Sequence, residues 1–284
     1  PEDYGILELM DLTINIITML VGMRLGSALI RFYHAYESEA DKAEVFSTAL
    51  VFVLVMVTLI VVGLELFTRQ FAGVVLGNAE YYRYFQIMFV AMGLQTLATV
   101  PENYLLARKQ SFSFSNITFL TFVSYLTLNI LFLVVFRWGL TGLLLSILIT
   151  KVWNNTLLFA TIRKHISLAF SWDKLKQMLL FSVPLIPAAL AMFAIHFSDR
   201  FFVRHFCSLD DLGVYSLGYK FGMIIAVLIS RPFFRIWNTQ RFEIARQEDP
   251  GPTLARFFSY YTLLTVFSGL TISVFIEEII QVIA

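Results

Sequence analysis

The sequence predicts an all-α fold, a polytopic bundle of membrane-spanning helices. Hydrophobic residues make up 58% of the 284 residues and charged residues only 14%, whereas soluble domains are about 25% charged. The apolar residues fall into eight stretches, and each exceeds the ~20 residues that an α-helix needs to cross the hydrocarbon core. The eight predicted spans are residues 6–30, 45–67, 84–106, 113–136, 140–162, 178–203, 212–234 and 254–280.

The distribution of Lys and Arg between the loops predicts how the spans are oriented. Loops that follow the odd-numbered spans, with the adjoining helix ends, carry thirteen of these residues, and the opposite loops carry five. Cytoplasmic loops of membrane proteins are enriched in Lys and Arg. The loops after the odd-numbered spans are therefore predicted to lie in the cytoplasm, with both ends of the sequence on the outer side.

A short amphipathic segment, SWDKLKQMLLF (171–181), precedes the sixth span. Ser171 is a favourable helix N-cap, and apolar residues such as Leu175 and Met178 recur at helical spacing between charged ones. The pattern predicts a helix that lies on the membrane surface and joins two bundles. An N-terminal extension of the sixth span fits the same periodicity equally well.

The sixth span itself contains residues that are costly inside a membrane helix. Pro184 and Pro187 predict a bend, because proline removes backbone hydrogen bonds. Asp199 and Arg200 end the span on its outer side. Their charges can neutralise each other locally, or they can shape the entrance of a polar cavity.

Two similar strings, PEDYGILEL (1–9) and LDDLGVYSL (209–217), each stand directly before a span. They share an aspartate, a glycine and a leucine at matching positions and predict an internal repeat, which is common in transporters. The repeat predicts two lobes of six helices each. Residues 1–170 are then an N-terminal lobe without its first helix, and residues 171–284 hold the interfacial linker helix and the first three helices of a C-terminal lobe.

Two cations inside spans are framed by glycines, Arg24 in GMRLG (22–26) and Lys220 in GYKFG (218–222). Glycines four residues apart let helices approach closely, and a cation between them points away from that contact face. The sequence therefore predicts two packing faces with a cation on the opposite side of each helix. Lys220 is expected to face a polar cavity, and local pairing of either charge is the alternative.

The other ionisable residues within spans are Asp11, Glu65, Glu102 and Lys151. Such residues normally face a cavity or a charged partner, although Glu65, Glu102 and Arg200 can also reach the membrane interface. The deeply placed charges are mostly basic, which favours an anionic ligand over a cationic one.

Several function classes lack support in the sequence. No P-loop, GxSxG or HExxH pattern is present, so ATP-driven transport and the corresponding enzyme classes are not indicated. The single Cys207 and four scattered His residues predict no metal site, and no cofactor motif is found. A net charge of +1 does not indicate nucleic-acid binding. The longest soluble stretch, residues 235–253, is too short to fold as a catalytic domain.

Seven segments in order along the chain carry a family resemblance: PEDYGILEL, RFYHAY, FSVPLIPAAL, SDRFFVRHF, LGVYSLGYKFG, RPFFRIWNTQRFE and RFFSYYTLL. Together they resemble the bacterial oligosaccharide flippases of the O-antigen type, which are polysaccharide biosynthesis membrane proteins of the multidrug/oligosaccharidyl-lipid/polysaccharide exporter superfamily. The resemblance implies two six-helix lobes that form a V around a central cavity.

The resemblance further implies a non-enzymatic transporter in the bacterial cytoplasmic (inner) membrane. Such a protein carries undecaprenyl-pyrophosphate-linked oligosaccharide to the outer leaflet by alternating access, for O-antigen and lipopolysaccharide assembly. Its expected partners are this lipid-linked oligosaccharide, membrane lipids, and the polysaccharide polymerase and glycosyltransferases. A cation-coupled drug antiporter, a peptidoglycan-precursor flippase and, less favoured, a membrane-embedded transferase are the alternatives.

The ionisable and amide residues within the spans are the candidate site for this activity. Expected substrate contacts are Arg24, Lys220, Arg200, Lys151 and Asn103. Expected ion-coupling or charge-pairing residues are Asp11 and Asp199.

Overall fold

The computed structural model describes residues 2–22, 24–163, 169–230, 232–234, 237, 244, 249–276 and 278. Across this part of the chain the structure is helical, with no strand. The α-helices are α1 (Glu2–Val21), α2 (Leu25–Ala35), α3 (Glu39–Leu66), α4 (Thr68–Leu76), α5 (Tyr82–Ala107), α6 (Ser111–Asn129), α7 (Gly139–Ile162), α8 (Trp172–Ser182), α9 (Leu185–Phe206), α10 (Leu209–Ile225) and α11 (Gly251–Val274).

Eight helical segments of the described chain are long and apolar enough to cross a membrane, which confirms the predicted all-α polytopic bundle. They are Asp3–Ala35, Glu39–Leu66, Ala79–Ala107, Ser111–Val135, Gly139–Ile162, Trp172–Phe206, Leu209–Phe234 and Gly251–Val274. Of the loop predicted at 235–253, only residues 237, 244 and 249–253 are described.

The chain divides into two compact units, residues 6–207 and residues 1–5 with 208–284. In the larger unit α5 is the central helix, because it packs against α2, α3, α6 and α7. A core of buried side chains joins these helices, and the ring of Tyr104 on α5 stacks on Phe46 of α3 at 4.0 Å between centroids. The predicted lobe boundary between residues 170 and 171 stays a prediction.

The predicted helix at 171–181 is confirmed as α8. The Ser171 hydroxyl caps it by accepting a hydrogen bond from the Lys174 backbone N–H at 3.4 Å. Leu175 and Met178 are fully buried, because α8 packs against α2 and α3. Its position on the membrane surface stays a prediction.

The polar side of α8 also contacts α3. The Lys174 ammonium group pairs with Asp41 at 2.7 Å and with Glu44 at 2.5 Å. The Ser171 backbone N–H donates to the Thr48 hydroxyl at 3.0 Å. These bonds tie α8 to the first turns of α3. At the predicted bend the helix is interrupted beside Pro184, since α8 ends at Ser182 and α9 begins at Leu185, whereas Pro187 lies in the first turn of α9.

The predicted packing face at 22–26 is wrong, because the chain leaves the helix there. α1 ends at Val21, and Arg24 adopts a left-handed backbone with φ 54° before α2 begins. The two glycines therefore do not share one helix face. Gly26 instead allows a close approach by α5, since a Cβ at this position would overlap the Asn103 side chain.

In the smaller unit α10 packs against α11. A Cβ on Gly218 or Gly222 would meet no atom of the described residues within 4 Å, so these glycines form no close helix contact there. Gly5 does form one, because its Cβ would overlap the backbone carbonyl of Leu209. This contact brings together one residue from each of the two similar strings.

Candidate functional site

A cavity of about 620 Å³ lies within the larger unit, between α1, α5, α6 and α7. Its walls combine apolar side chains with a set of polar ones. The polar lining residues include Asp11, Asn15, Thr18, Gln95, Thr121 and Lys151. The volume lies in the range of small-molecule binding sites, about 300–1,000 Å³.

The helical repeat explains why these residues meet at one cavity. Asp11, Asn15 and Thr18 are spaced four and three residues apart, so they follow one face of α1. The same spacing on α5 places Met88, Met92 and Gln95 on the cavity wall. Each helix therefore contributes one stripe, and the polar members of the stripes face the same space.

Lys151 on α7 supplies the cation of this cavity. Its ammonium group donates a hydrogen bond to the Oε1 of Gln95 on α5, which is a neutral acceptor. No carboxylate of the described residues lies within the 4.0 Å of Lys151 that defines an ion pair. The charge of Lys151 is therefore held in place by an amide and is not neutralised by direct contact.

A hydrogen-bonded chain supports the cavity wall behind Lys151. The Thr121 hydroxyl donates to the Asn154 Oδ1 at 3.1 Å, and the Asn154 amide donates to Glu102 at 3.3 Å. Asn155 joins α7 to α5 by donating to the Leu94 carbonyl at 2.9 Å. These bonds connect three helices and fix the turn of α7 that carries Lys151.

Arg200 on α9 has a different environment. It is 3% exposed, and its Nε contacts the carboxylate of Glu8 on α1 at 2.5 Å. Asp199 lies 3.4 Å from the same guanidinium group and also accepts the Arg200 backbone N–H. The predicted local pairing of Asp199 and Arg200 is therefore present, and the sequence analysis missed Glu8, the buried partner.

The other predicted substrate contacts lie outside the cavity lining. Arg24 is exposed at the break between α1 and α2. Asn103 donates its amide to the Thr99 carbonyl at 2.7 Å and packs against Gly26. Lys220 belongs to the smaller unit, where its ammonium group lies 5.5 Å from the centre of the Tyr4 ring. Of the seven predicted residues, the structure thus brings Lys151 and Asp11 to one cavity and pairs Arg200 with Asp199 elsewhere. The roles of all seven stay predictions.

Gln95, Asn15, Thr18 and Thr121 are cavity residues that the sequence analysis did not single out. These four residues are neutral, so they are not found by looking for charged residues within spans. Their signal is periodicity, because polar residues recur at three- and four-residue spacing on helices that are otherwise apolar. That spacing on α1 starts at Asp11 and could have located this wall of the cavity.

The helices and the cavity define a multi-pass membrane protein with a cavity among its spans, whose largely apolar lining carries several polar side chains. The model of the polysaccharide biosynthesis protein family matches residues 1–283, and the chain belongs to that family. The resemblance to O-antigen-type flippases and their exporter superfamily is thereby confirmed. The comparisons with curated proteins and with solved structures give no significant match.

Family membership assigns the protein a role in polysaccharide synthesis or export. The family is associated with transport across bacterial membranes and not with catalysis. A cavity that offers one ammonium group, several amides and several hydroxyls is suited to bind an anionic group together with sugar hydroxyls.

Proposed function

We propose that the protein moves undecaprenyl-pyrophosphate-linked oligosaccharide from the inner to the outer leaflet of the bacterial cytoplasmic membrane by alternating access. The observation that carries this proposal is the cavity among the spans, with Lys151 as its cation. Membership of the polysaccharide biosynthesis family supports a sugar-containing substrate. The expected partners are the glycosyltransferases and the polymerase that act before and after this step.

The chemistry of the substrate matches the cavity. A pyrophosphate cannot cross hydrocarbon without compensating contacts, because burying a charge without partners is very costly. Lys151 offers a cation, and Gln95, Asn15 and Thr121 offer hydrogen bonds to sugar hydroxyls. The polyprenyl tail can remain in the lipid while the head group crosses through protein.

Asp11 supports a second candidate function, a cation-coupled drug antiporter. Its carboxylate lies in the same cavity lining as Lys151, and a carboxylate can hold a coupling ion or a cationic drug. A peptidoglycan-precursor flippase is the third candidate, and it shares the pyrophosphate but differs in the sugar.

Reconstitution of the whole protein into lipid vesicles separates these functions. Fluorescent lipid-linked oligosaccharide, lipid-linked peptidoglycan precursor and a cationic dye are supplied in parallel, and an impermeant reagent reports which sugars reach the opposite leaflet. The proposal predicts rapid exposure of the oligosaccharide relative to protein-free vesicles. Dye transport driven by an ion gradient, without oligosaccharide exposure, would establish the antiporter instead.

The variant Lys151→Ala tests the cavity in the same assay. Loss of a charge-assisted contact is expected to slow oligosaccharide exposure by about tenfold or more. Lys176→Ala is the matched control, because Lys176 is an exposed lysine of α8 outside the cavity. Equal rates for the two variants would remove Lys151 from the transport path.

A further inference from the structure

A second pocket of about 450 Å³ lies in the larger unit, between α1, α4 and α9. It shares no lining residue with the cavity of Lys151. Its lining combines the apolar side chains of Val74, Val75 and Phe201 with the basic side chains of Arg204 and His205. No carboxylate is among the described lining residues, and Glu8, next to lining residue Leu9, is paired with Arg200.

Arg204 lies in the last turn of α9 and holds part of its guanidinium group against α4. Its Nη2 donates to the Leu76 carbonyl at 3.5 Å, where the end of a helix favours a cation. Its Nε is shielded from solvent and has no hydrogen-bond partner among the described residues. A guanidinium group has five N–H donors, and the one bond to Leu76 leaves the remaining donors of the two Nη atoms for a ligand in the pocket.

His205 extends the basic side of the pocket. An imidazole has at least one N–H donor in either protonation state, so His205 can add a hydrogen bond beside the fork of Arg204. Planar guanidinium donors fit phosphate oxygens well. The pocket is therefore suited to a phosphate group.

The surface near the pocket is strongly apolar. Val74 is 87% exposed and lines the pocket, and Phe202 and Phe206 on the same turns of α9 are 63% and 77% exposed. The distribution of Lys and Arg predicts that this end of α9 is on the outer side of the membrane. Basic groups beside exposed apolar side chains at that level match an amphiphile and do not match a free sugar.

We propose that this pocket binds the phosphate of an anionic lipid in the outer leaflet, with Arg204 and His205 on the phosphate and Val74 and Val75 against an acyl chain. This site is separate from the proposed transport cavity, and it does not depend on the transport proposal. Arg204 and His205 recognise phosphate oxygens. The phosphodiester of a lipid carries such oxygens, and a free phosphate ion is the competing ligand because it carries them too.

Lipid binding to the whole purified protein in detergent tests the proposal. Native mass spectrometry would count the phosphatidylglycerol molecules retained as the lipid is titrated. Arg204→Gln is expected to weaken retention about tenfold, as for loss of a charge-assisted hydrogen bond. Arg83→Gln is the matched control, because Arg83 is an exposed arginine on the same predicted side and outside the pocket.

His205→Ala removes the imidazole N–H donor and guards against a folding defect, because His205 is exposed and its replacement should leave the fold intact. It is also expected to weaken retention, whereas unchanged retention in both pocket variants would overturn the proposal. A third arm adds inorganic phosphate. Failure of millimolar phosphate to displace the lipid supports a lipid site, and full displacement with equal binding of phosphate alone would contradict it.

Discussion

Arg200 and Lys151 both lie in membrane-spanning helices of the larger unit, and their surroundings differ in one respect. Arg200 contacts the carboxylates of Glu8 and Asp199 and is 3% exposed. Lys151 contacts the neutral amide of Gln95 and lines a cavity. Arg200 is ion-paired with carboxylates within the packed protein, whereas Lys151 forms no ion pair with a described carboxylate and lies beside an open space.

The difference teaches how to assign roles to charges within spans. A cation that pairs with a buried carboxylate on another helix stabilises the contact between the two helices, here α9 and α1. A cation held by a neutral group beside a cavity can interact with a ligand that enters. The group that a cation contacts, and not its position within a predicted span, therefore distinguishes a structural cation from a candidate functional one.

The largest effect is expected for Arg200→Ala. This change removes the guanidinium group that pairs with the carboxylate of Glu8, which is 8% exposed. Breaking a buried ion pair costs about 3–5 kcal/mol, measurable as a fall in the thermal unfolding midpoint of the purified protein. Lys151→Ala should cost only about 1 kcal/mol, because it removes one hydrogen bond to a neutral group.

The double variant Glu8→Ala with Arg200→Ala is the control for that comparison. Its loss of stability should be smaller than the sum of the two single losses, because both single changes remove the same ion pair. Additive losses, or an Arg200→Ala variant as stable as Lys151→Ala, would show that the two cations do not differ in this way.

A smaller effect is expected where Gly26 approaches Asn103. Gly26→Ala places a Cβ against the Asn103 amide, and overpacking costs about 1–3 kcal/mol. Gly63→Ala is the matched control, because its Cβ meets no atom of the described residues within 4 Å; it should stabilise the helix by about 0.5–1 kcal/mol. Chemical unfolding would measure both changes.

Asn103→Ala combined with Gly26→Ala should recover most of the lost stability. Recovery would show that Asn103 acts in the contact between α2 and α5. Asn103 would then have a structural role, as Arg200 does. A double variant as unstable as Gly26→Ala alone would contradict this assignment.

The sequence predicted the parts of the fold that depend on composition and period. Eight spans follow from hydropathy, and the cap at Ser171 and the break near Pro184 follow from local backbone chemistry. The break at Arg24 was missed, because its left-handed backbone is rare for a residue other than glycine and has no clear sequence signal.

The site was harder to predict, because pairing depends on contacts between distant segments. Glu8 and Arg200 are in contact but lie near opposite ends of the sequence of the larger unit, so no spacing rule connects them. Lys151 and Asp11 were predicted as charges within spans, but nothing in the sequence placed them on the same cavity. The neutral lining residues were missed because, apart from Asn103, the candidate residues were chosen by their charge.

Chemical labelling within the cavity tests the central claim most directly. Thr18→Cys introduces a thiol on the cavity lining, and its labelling by a small maleimide is followed with and without lipid-linked oligosaccharide. The exposed native Cys207 serves as the internal control. The account predicts that the substrate slows labelling at residue 18 and leaves Cys207 unchanged, whereas equal labelling of residue 18 in both conditions would contradict it.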